Sequence, residues 1–267
     1  MRNRIKERKG LTARCTPNMG VRGQVALFII IAIVIVVGII AAFFLIGGTD
    51  LEAPADLNPA QFIENCVEDA VEPAVVAVLD GGGRISPSQY IMYDGEEYNY
   101  LCYQADYYLT CINSHPMLES IVEEEIRADT VDEVETCFNA MEEEFEDKGF
   151  GVNVGTLNYS IDLLPGRVDI LINNEIVAFR GGTSQTFSDF DTSIISPLYH
   201  LIGIAREIVN QEAQYCNFDY NGYMILYPEY DIRRIDYSES KVYKLFDRRS
   251  GDEFQFAIRS CAIAPGI

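Results

Sequence analysis

The stretch TLNYSIDLLPGRVDILINNEIVAFR, residues 156–180, decides the fold class of this chain. Three short runs rich in Val, Ile, Leu, Tyr and Phe are separated by Pro165-Gly166 and Asn173-Asn174. Both pairs supply the backbone geometry of tight turns, so the stretch reads as a three-stranded antiparallel meander. Everything before it has a different period.

N-terminal to the meander the apolar residues recur at helical spacing. A helix opens at Asn58-Pro59, with Asn as its cap and Pro in its first turn. Phe62, Cys66 and Ala70 follow at i, i+4, and Pro73 is expected to kink or end it. DGGGR, 80–84, reads as a flexible break. HPMLESIVEEEIRA predicts a helix from Pro116. TVDEVETCFNAMEEEFEDKG predicts a second one, opened by a Thr130–Glu133 capping box and closed near Gly149. Its apolar face is Val134, Cys137, Phe138, Met141 and Phe145. C-terminal to the meander, Ser196-Pro197 opens a helix that turns Leu198, Tyr199, Ile202, Ala205, Val209 and Ala213 inward. Asn221-Gly222, between YCNFDY and YMILY, predicts a hairpin. KVYKLF and EFQFAIRSC predict a last one, turning at Ser250-Gly251-Asp252. The class is α+β, with a mainly helical part over 58–149 and an α+β part over 150–267.

Six of the seven cysteines lie in these two parts. An even number there predicts three disulfides. Cys66 and Cys137 both fall on inward helix faces and are expected to staple those helices together. Cys102 and Cys111 flank a short loop and are paired. Cys216 and Cys261 share the last part and are paired. No Cys-x-x-Cys occurs, which argues against a thioredoxin-like site or a zinc ribbon.

Ahead of all this runs VRGQVALFIIIAIVIVVGIIAAFFLIGG, 21–48. Val25 to Ile46 carries no charge, and as a helix it is about 33 Å long, enough to cross a hydrocarbon core. Residues 1–23 hold seven of the 20 Lys and Arg of the chain and one of its 41 Asp and Glu. From Thr49 on, the formal charge is therefore about −27. The expectation is a basic cytoplasmic leader over 1–23, a transmembrane helix over 24–48, a linker over 49–57 and a disulfide-stapled ectodomain. That places the protein in the cell membrane as a single-pass protein with a cytoplasmic N-terminus and an extracellular C-terminal domain. Residues 25–46 would meet membrane lipid. The acidic remainder repels phosphate, so nucleic acid is excluded as a partner.

Arg22-Gly23-Gln24 at the head of the apolar run resembles the class III signal peptides of archaeal type IV pilin-like proteins. The resemblance implies cleavage after Gly23, with Gln24 as the first mature residue. Many members carry Glu at the fifth mature position, where this chain has Phe28. The whole plan also resembles archaeal surface proteins with one N-terminal span.

Motifs for covalent chemistry are absent. The chain has two histidines, His115 and His200, and no tryptophan. Neither His sits in a nucleophile–base motif, and no HExxH, GxSxG, P-loop or GxGxxG occurs. The runs Glu123–Glu125 and Glu142–Glu144 read as solvated helix faces. Asp189 and Asp191 lack an EF-hand pattern. Seven tyrosines over 90–108 read as core and hairpin packing, with sugar stacking as the alternative. Asn158-Tyr159-Ser160 is a glycosylation sequon inside a predicted strand. No cofactor or metal is implied. The function expected is a non-enzymatic structural or interaction protein of the cell envelope, meeting other surface proteins. The alternatives are a filament subunit processed after Gly23 and an extracytoplasmic ligand-binding or hydrolytic domain.

Overall fold

The computed structural model describes residues 21–46, 58–188, 190–264 and 266, with the side chains of the first helix described over 29–41. The chain divides into two compact units, 1–54 and 55–267. The first contains helix α1, Val21–Ile46. Gly23 and Gln24 lie near its start, and the leader before Val21 lies outside the described residues. The apolar side chains of α1 stand about half exposed, from Ile31 at 47% to Val34 at 64%.

Among the described residues no helix is long and apolar enough to cross a membrane. The expected transmembrane helix over 24–48 and the single-pass placement in the cell membrane are corrected on this finding. With them goes the structural basis for lipid contact through 25–46.

The second unit is α+β. In chain order it comprises α2 (Pro59–Asp80), β1 (Tyr90–Tyr93), β2 (Glu96–Tyr103), β3 (Ile112–Asn113), α3 (Leu118–Asp147), β4 (Gly151–Val154), β5 (Tyr159–Leu164) and β6 (Arg167–Ile172). It continues with β7 (Ile176–Arg180), β8 (Thr183–Phe187), β9 (Thr192–Ile195), α4 (Leu198–Tyr215), α5 (Tyr220–Leu226), β10 (Tyr230–Tyr237), β11 (Ser240–Asp247) and β12 (Glu253–Arg259). The main sheet runs β1-β2-β12-β11-β10, with β3 also on β2, beside two three-stranded sheets, β4-β7-β8 and β5-β6-β9. All pairings are antiparallel except β12 with β2, which is parallel. Residues 96–103 and 253–259 thus share one sheet.

The helices form where the spacing put them, with instructive differences. Asn58 caps α2 by accepting from the Gln61 amide, with Pro59 in the first turn. Pro73 sits inside α2, and the helix runs on to Asp80. The two helices expected over 116–149 are one, α3. Thr130 is no cap: its hydroxyl turns back to the Ile126 carbonyl at 2.8 Å and lies 3.0 Å from the Tyr159 hydroxyl. A threonine that bonds back one turn satisfies itself within a continuing helix. The apolar faces of α2 (Ile63, Val67, Val71, Val78) and α3 (Val122, Ile126, Val134, Phe138, Met141) are buried, and the two helices pack together.

Gly81–Gly83 is a built corner, not a flexible break. Gly82 is left-handed at φ +62, and a Cβ there would lie 2.6 Å from the Gln255 carbonyl oxygen. The Asn99 amide donates to the Gly82 carbonyl at 3.0 Å, and Glu125 accepts from both Arg84 and the Ile85 amide. Only glycine combines that φ with that closeness.

The meander is half right. β5 and β6 pair through the Pro165-Gly166 turn, but β6 next meets β9, while β7 crosses to β4 and β8. Asn221-Gly222 opens no hairpin. Asp219 accepts from the Gly222 amide at 3.0 Å and caps the short helix α5 instead. The hairpin of β10 with β11 turns at Ser238-Glu239, both at positive φ, a turn that no Asn-Gly or Gly announces.

Candidate functional site

Three disulfides close the second unit: Cys66–Cys137, Cys102–Cys111 and Cys216–Cys261. The first joins α2 to α3 across 71 residues. In the chain-entropy description a loop of that size stabilises the fold by roughly 4 kcal/mol. The third ties the C-terminal end of α4 to the residues after β12. Beside it, Glu212 is fully buried and accepts from the Tyr243 hydroxyl at 2.6 Å and from Lys241 at 2.5 Å. Lys241 also donates to the Cys216 carbonyl at 2.5 Å. The carboxylate is thus paired and hydrogen bonded, as a buried charge must be.

A groove opens at the other end of α4. The helix buries Leu198, Leu201, Ile202, Ala205 and Ile208 and turns Tyr199, Gly203 and Arg206 the other way. Spacings of four and three residues put these three on one face. With α5 and the start of β10 they border a groove of about 550 Å³. Its far wall is Tyr223, Tyr227, Glu229 and Tyr230. A neighbouring hollow of about 500 Å³ shares His200 and Arg249 with it and reaches Ser196, Asp247 and Ser250.

Its charges are spoken for in pairs. Arg206 donates to Glu119, at the head of α3, at 2.6 Å. Arg249 bridges to the buried Asp247 carboxylate at 3.2 Å, which also accepts from the Arg249 amide at 2.8 Å. Burial pushes the Asp247 carboxyl up, but the Arg249 hydrogen bonds and charge outweigh it and hold it below the usual range. Burial, reinforced by the neighbouring Tyr227 and Tyr230, pushes the Tyr223 hydroxyl up to about 12. Tyr223 and Tyr227 rings lie 4.6 Å apart, and Tyr199 meets His200 edge-on at 5.5 Å. Among the described residues, the hydroxyls of Tyr199, Tyr223, Tyr227 and Tyr230 make no hydrogen bond to protein.

No nucleophile–base pair is assembled here. The Ser196 hydroxyl accepts from the Leu198 amide at 3.2 Å, and the Ser250 hydroxyl accepts from the Asp252 amide at 3.3 Å. Neither is hydrogen bonded to His200 among the described residues. His115 lies elsewhere, half-buried ahead of α3. Its Nδ1 has no partner, and burial, with the charge of Arg84, lowers its pKa.

The other residues singled out from sequence are scattered. Asn158 is exposed just ahead of β5. The Glu123–Glu125 run is only partly a solvated face: Glu123 accepts from the Leu163 amide, and Glu125 holds the glycine corner. Asp191 accepts from the Ile172 amide at 2.8 Å, while Asp189 lies outside the described residues. No cluster of metal-ligating side chains occurs among the described residues. The groove itself was missed. Its one local signal was Gly203 in the middle of a strongly periodic helix. Comparison with protein-family models, curated proteins and solved structures returns no match.

Proposed function

We propose that this chain is a non-catalytic interaction protein that works in a disulfide-permissive compartment and makes its contact through the groove beside α4. The observation that carries the reading is the set of four tyrosine hydroxyls there without protein partners. A groove lined by aromatic rings whose polar tips the fold leaves unused has a ready ligand surface. Three disulfides support the compartment. The pairing of both arginines with carboxylates supports contact over turnover, because each of those groups already spends hydrogen bonds on its partner. The test is to offer the full chain chromogenic esters, glycosides and a peptide substrate. No turnover is expected. Turnover that disappears in His200→Ala or Glu229→Gln overturns the reading.

A filament role is favoured by a separate observation, the uncovered apolar side chains of α1 over 29–41. A helix that is apolar on every side needs cover. N-terminal sequencing of purified protein tests it: a chain starting at Gln24 supports it, and an uncut leader refutes it.

A further inference from the structure

We infer that the groove beside α4 is a binding site for a neutral saccharide, with Gly203 as the bare floor against which the sugar ring lies. This rests on the interaction reading above and names its ligand.

Gly203 is the key. Glycine inside a helix costs about 1 kcal/mol relative to alanine. At Gly222 of α5 a Cβ would lie 2.5 Å from the capping Asp219 carboxylate, whereas Gly38 of α1 has open space. At Gly203 a Cβ would meet nothing within 4 Å. No protein contact asks for the missing side chain. What it leaves open is the groove, between Tyr199 one turn before and Arg206 one turn after. Absence of a side chain there lets a flat ligand approach the helix backbone closely.

The walls select the ligand's chemistry. A cation among tyrosines gains from their rings, but Arg206 and Arg249 stand in the same walls and repel it. An anion gains from those arginines, but Glu119 and Glu229 stand in the same walls and repel it. The two arginines and two glutamates of the lining balance in formal charge, so the groove favours neither sign. A purely apolar ring would cover the tyrosine faces and bury their hydroxyls unsatisfied, which costs free energy for each. A neutral sugar uses both properties. Its C–H face lies on tyrosine rings, and its hydroxyls exchange hydrogen bonds with Tyr223, Tyr227, His200 and Glu229. The Tyr223 hydroxyl stays protonated at neutral pH and can donate. A volume of about 550 Å³ falls within the range of small-ligand sites.

The experiment is calorimetric titration of the full-length chain with neutral gluco-, manno-, galacto- and N-acetylglucosaminyl oligosaccharides. Oligoglucuronate, a tetraalkylammonium salt and an unstructured peptide serve as charged and non-sugar probes. At least one neutral oligosaccharide should bind saturably. Gly203→Phe, whose ring would project into the open groove, should weaken that binding by about tenfold or more with an unchanged unfolding transition. Tyr227→Ala should weaken it by about tenfold. The chain has no tryptophan, so Tyr227→Trp places a single fluorophore at the groove, and its emission should shift on adding the same sugar. No binding by any neutral oligosaccharide overturns the proposal, as does sugar binding that Gly203→Phe and Tyr227→Ala leave unchanged. Binding of a charged probe or the peptide alone, blocked by Gly203→Phe, overturns the saccharide but keeps the interaction reading. Hydrolysis of a bound sugar keeps the saccharide and overturns the non-catalytic reading.

Discussion

Two sets of tyrosines in this molecule differ in what their hydroxyls meet. In one, on and beside the main sheet, Tyr100, Tyr107 and Tyr243 are hydrogen bonded to protein. Tyr100 shares a hydrogen bond with Ser240 at 2.8 Å, and Tyr107 donates to Glu239 at 3.0 Å. Tyr93 packs edge-on against Tyr98 and Tyr237, and Tyr98 is almost fully buried. Arg259 closes this end, donating to the carbonyls of Gln104 and Ala105 and pairing with Glu239. The tyrosines beside α4 have rings packed as closely, yet their hydroxyls have no protein partner among the described residues. Composition cannot separate the two groups. Satisfaction does: where the fold consumes the polar tip the residue is architecture, and where it does not the residue is available.

Substitutions can break this comparison, and the largest effect should come from the most completely satisfied cluster. Glu212→Ala leaves the buried Tyr243 hydroxyl without its acceptor and Lys241 with only the Cys216 carbonyl, and should cost about 3–5 kcal/mol in chemical denaturation. A loss below about 1 kcal/mol would mean that the cluster is not a buried pair. Tyr100→Phe strands the buried Ser240 hydroxyl and should cost about 1–2 kcal/mol in the same assay. Tyr227→Phe, on the other side of the comparison, removes a hydroxyl that holds nothing in the fold and should change stability by less than about 0.5 kcal/mol. Equal losses for Tyr100→Phe and Tyr227→Phe would erase the distinction.

The smallest and most specific effect is in the alkaline limb. The Tyr223 pKa is raised from 10.0 to about 12 by burial, so the folded state favours the neutral phenol. A raised folded pKa contributes stability that is complete below the unfolded value near 10 and is lost as pH rises towards 12. Tyr223→Phe should flatten that part of the stability–pH curve. An unchanged slope would show that the groove is wetter than its packing implies.

Local chemistry was legible in the sequence and long-range choice was not. Asn58-Pro59 starts α2, Pro165-Gly166 turns β5 into β6, and Gly251 lies in the turn from β11 to β12, because each depends on residues a few positions apart. The cysteine pairs were readable because an even count and shared faces leave few pairings. Thr130 misled because a side chain able to cap can also bond back within a helix. Asn221-Gly222 misled because Asp219, two residues earlier, caps a helix there. β7 left the meander for β4, a partner more than twenty residues away in sequence, which no turn signal encodes. The groove was invisible for a deeper reason. It is defined by what four hydroxyls lack, and a missing partner can be seen only once every candidate partner has a place.

The parallel pairing of β12 with β2 also sets a timetable. β2 precedes β12 by about 150 residues of chain, so the middle of the main sheet stays open until β12 has been made. Cys102 and Cys111, nine residues apart, can find each other while that gap persists. Cys216 and Cys261 cannot, because Cys261 follows β12. A nascent chain of this protein therefore carries an unpaired strand edge from the making of β2 until β12 follows.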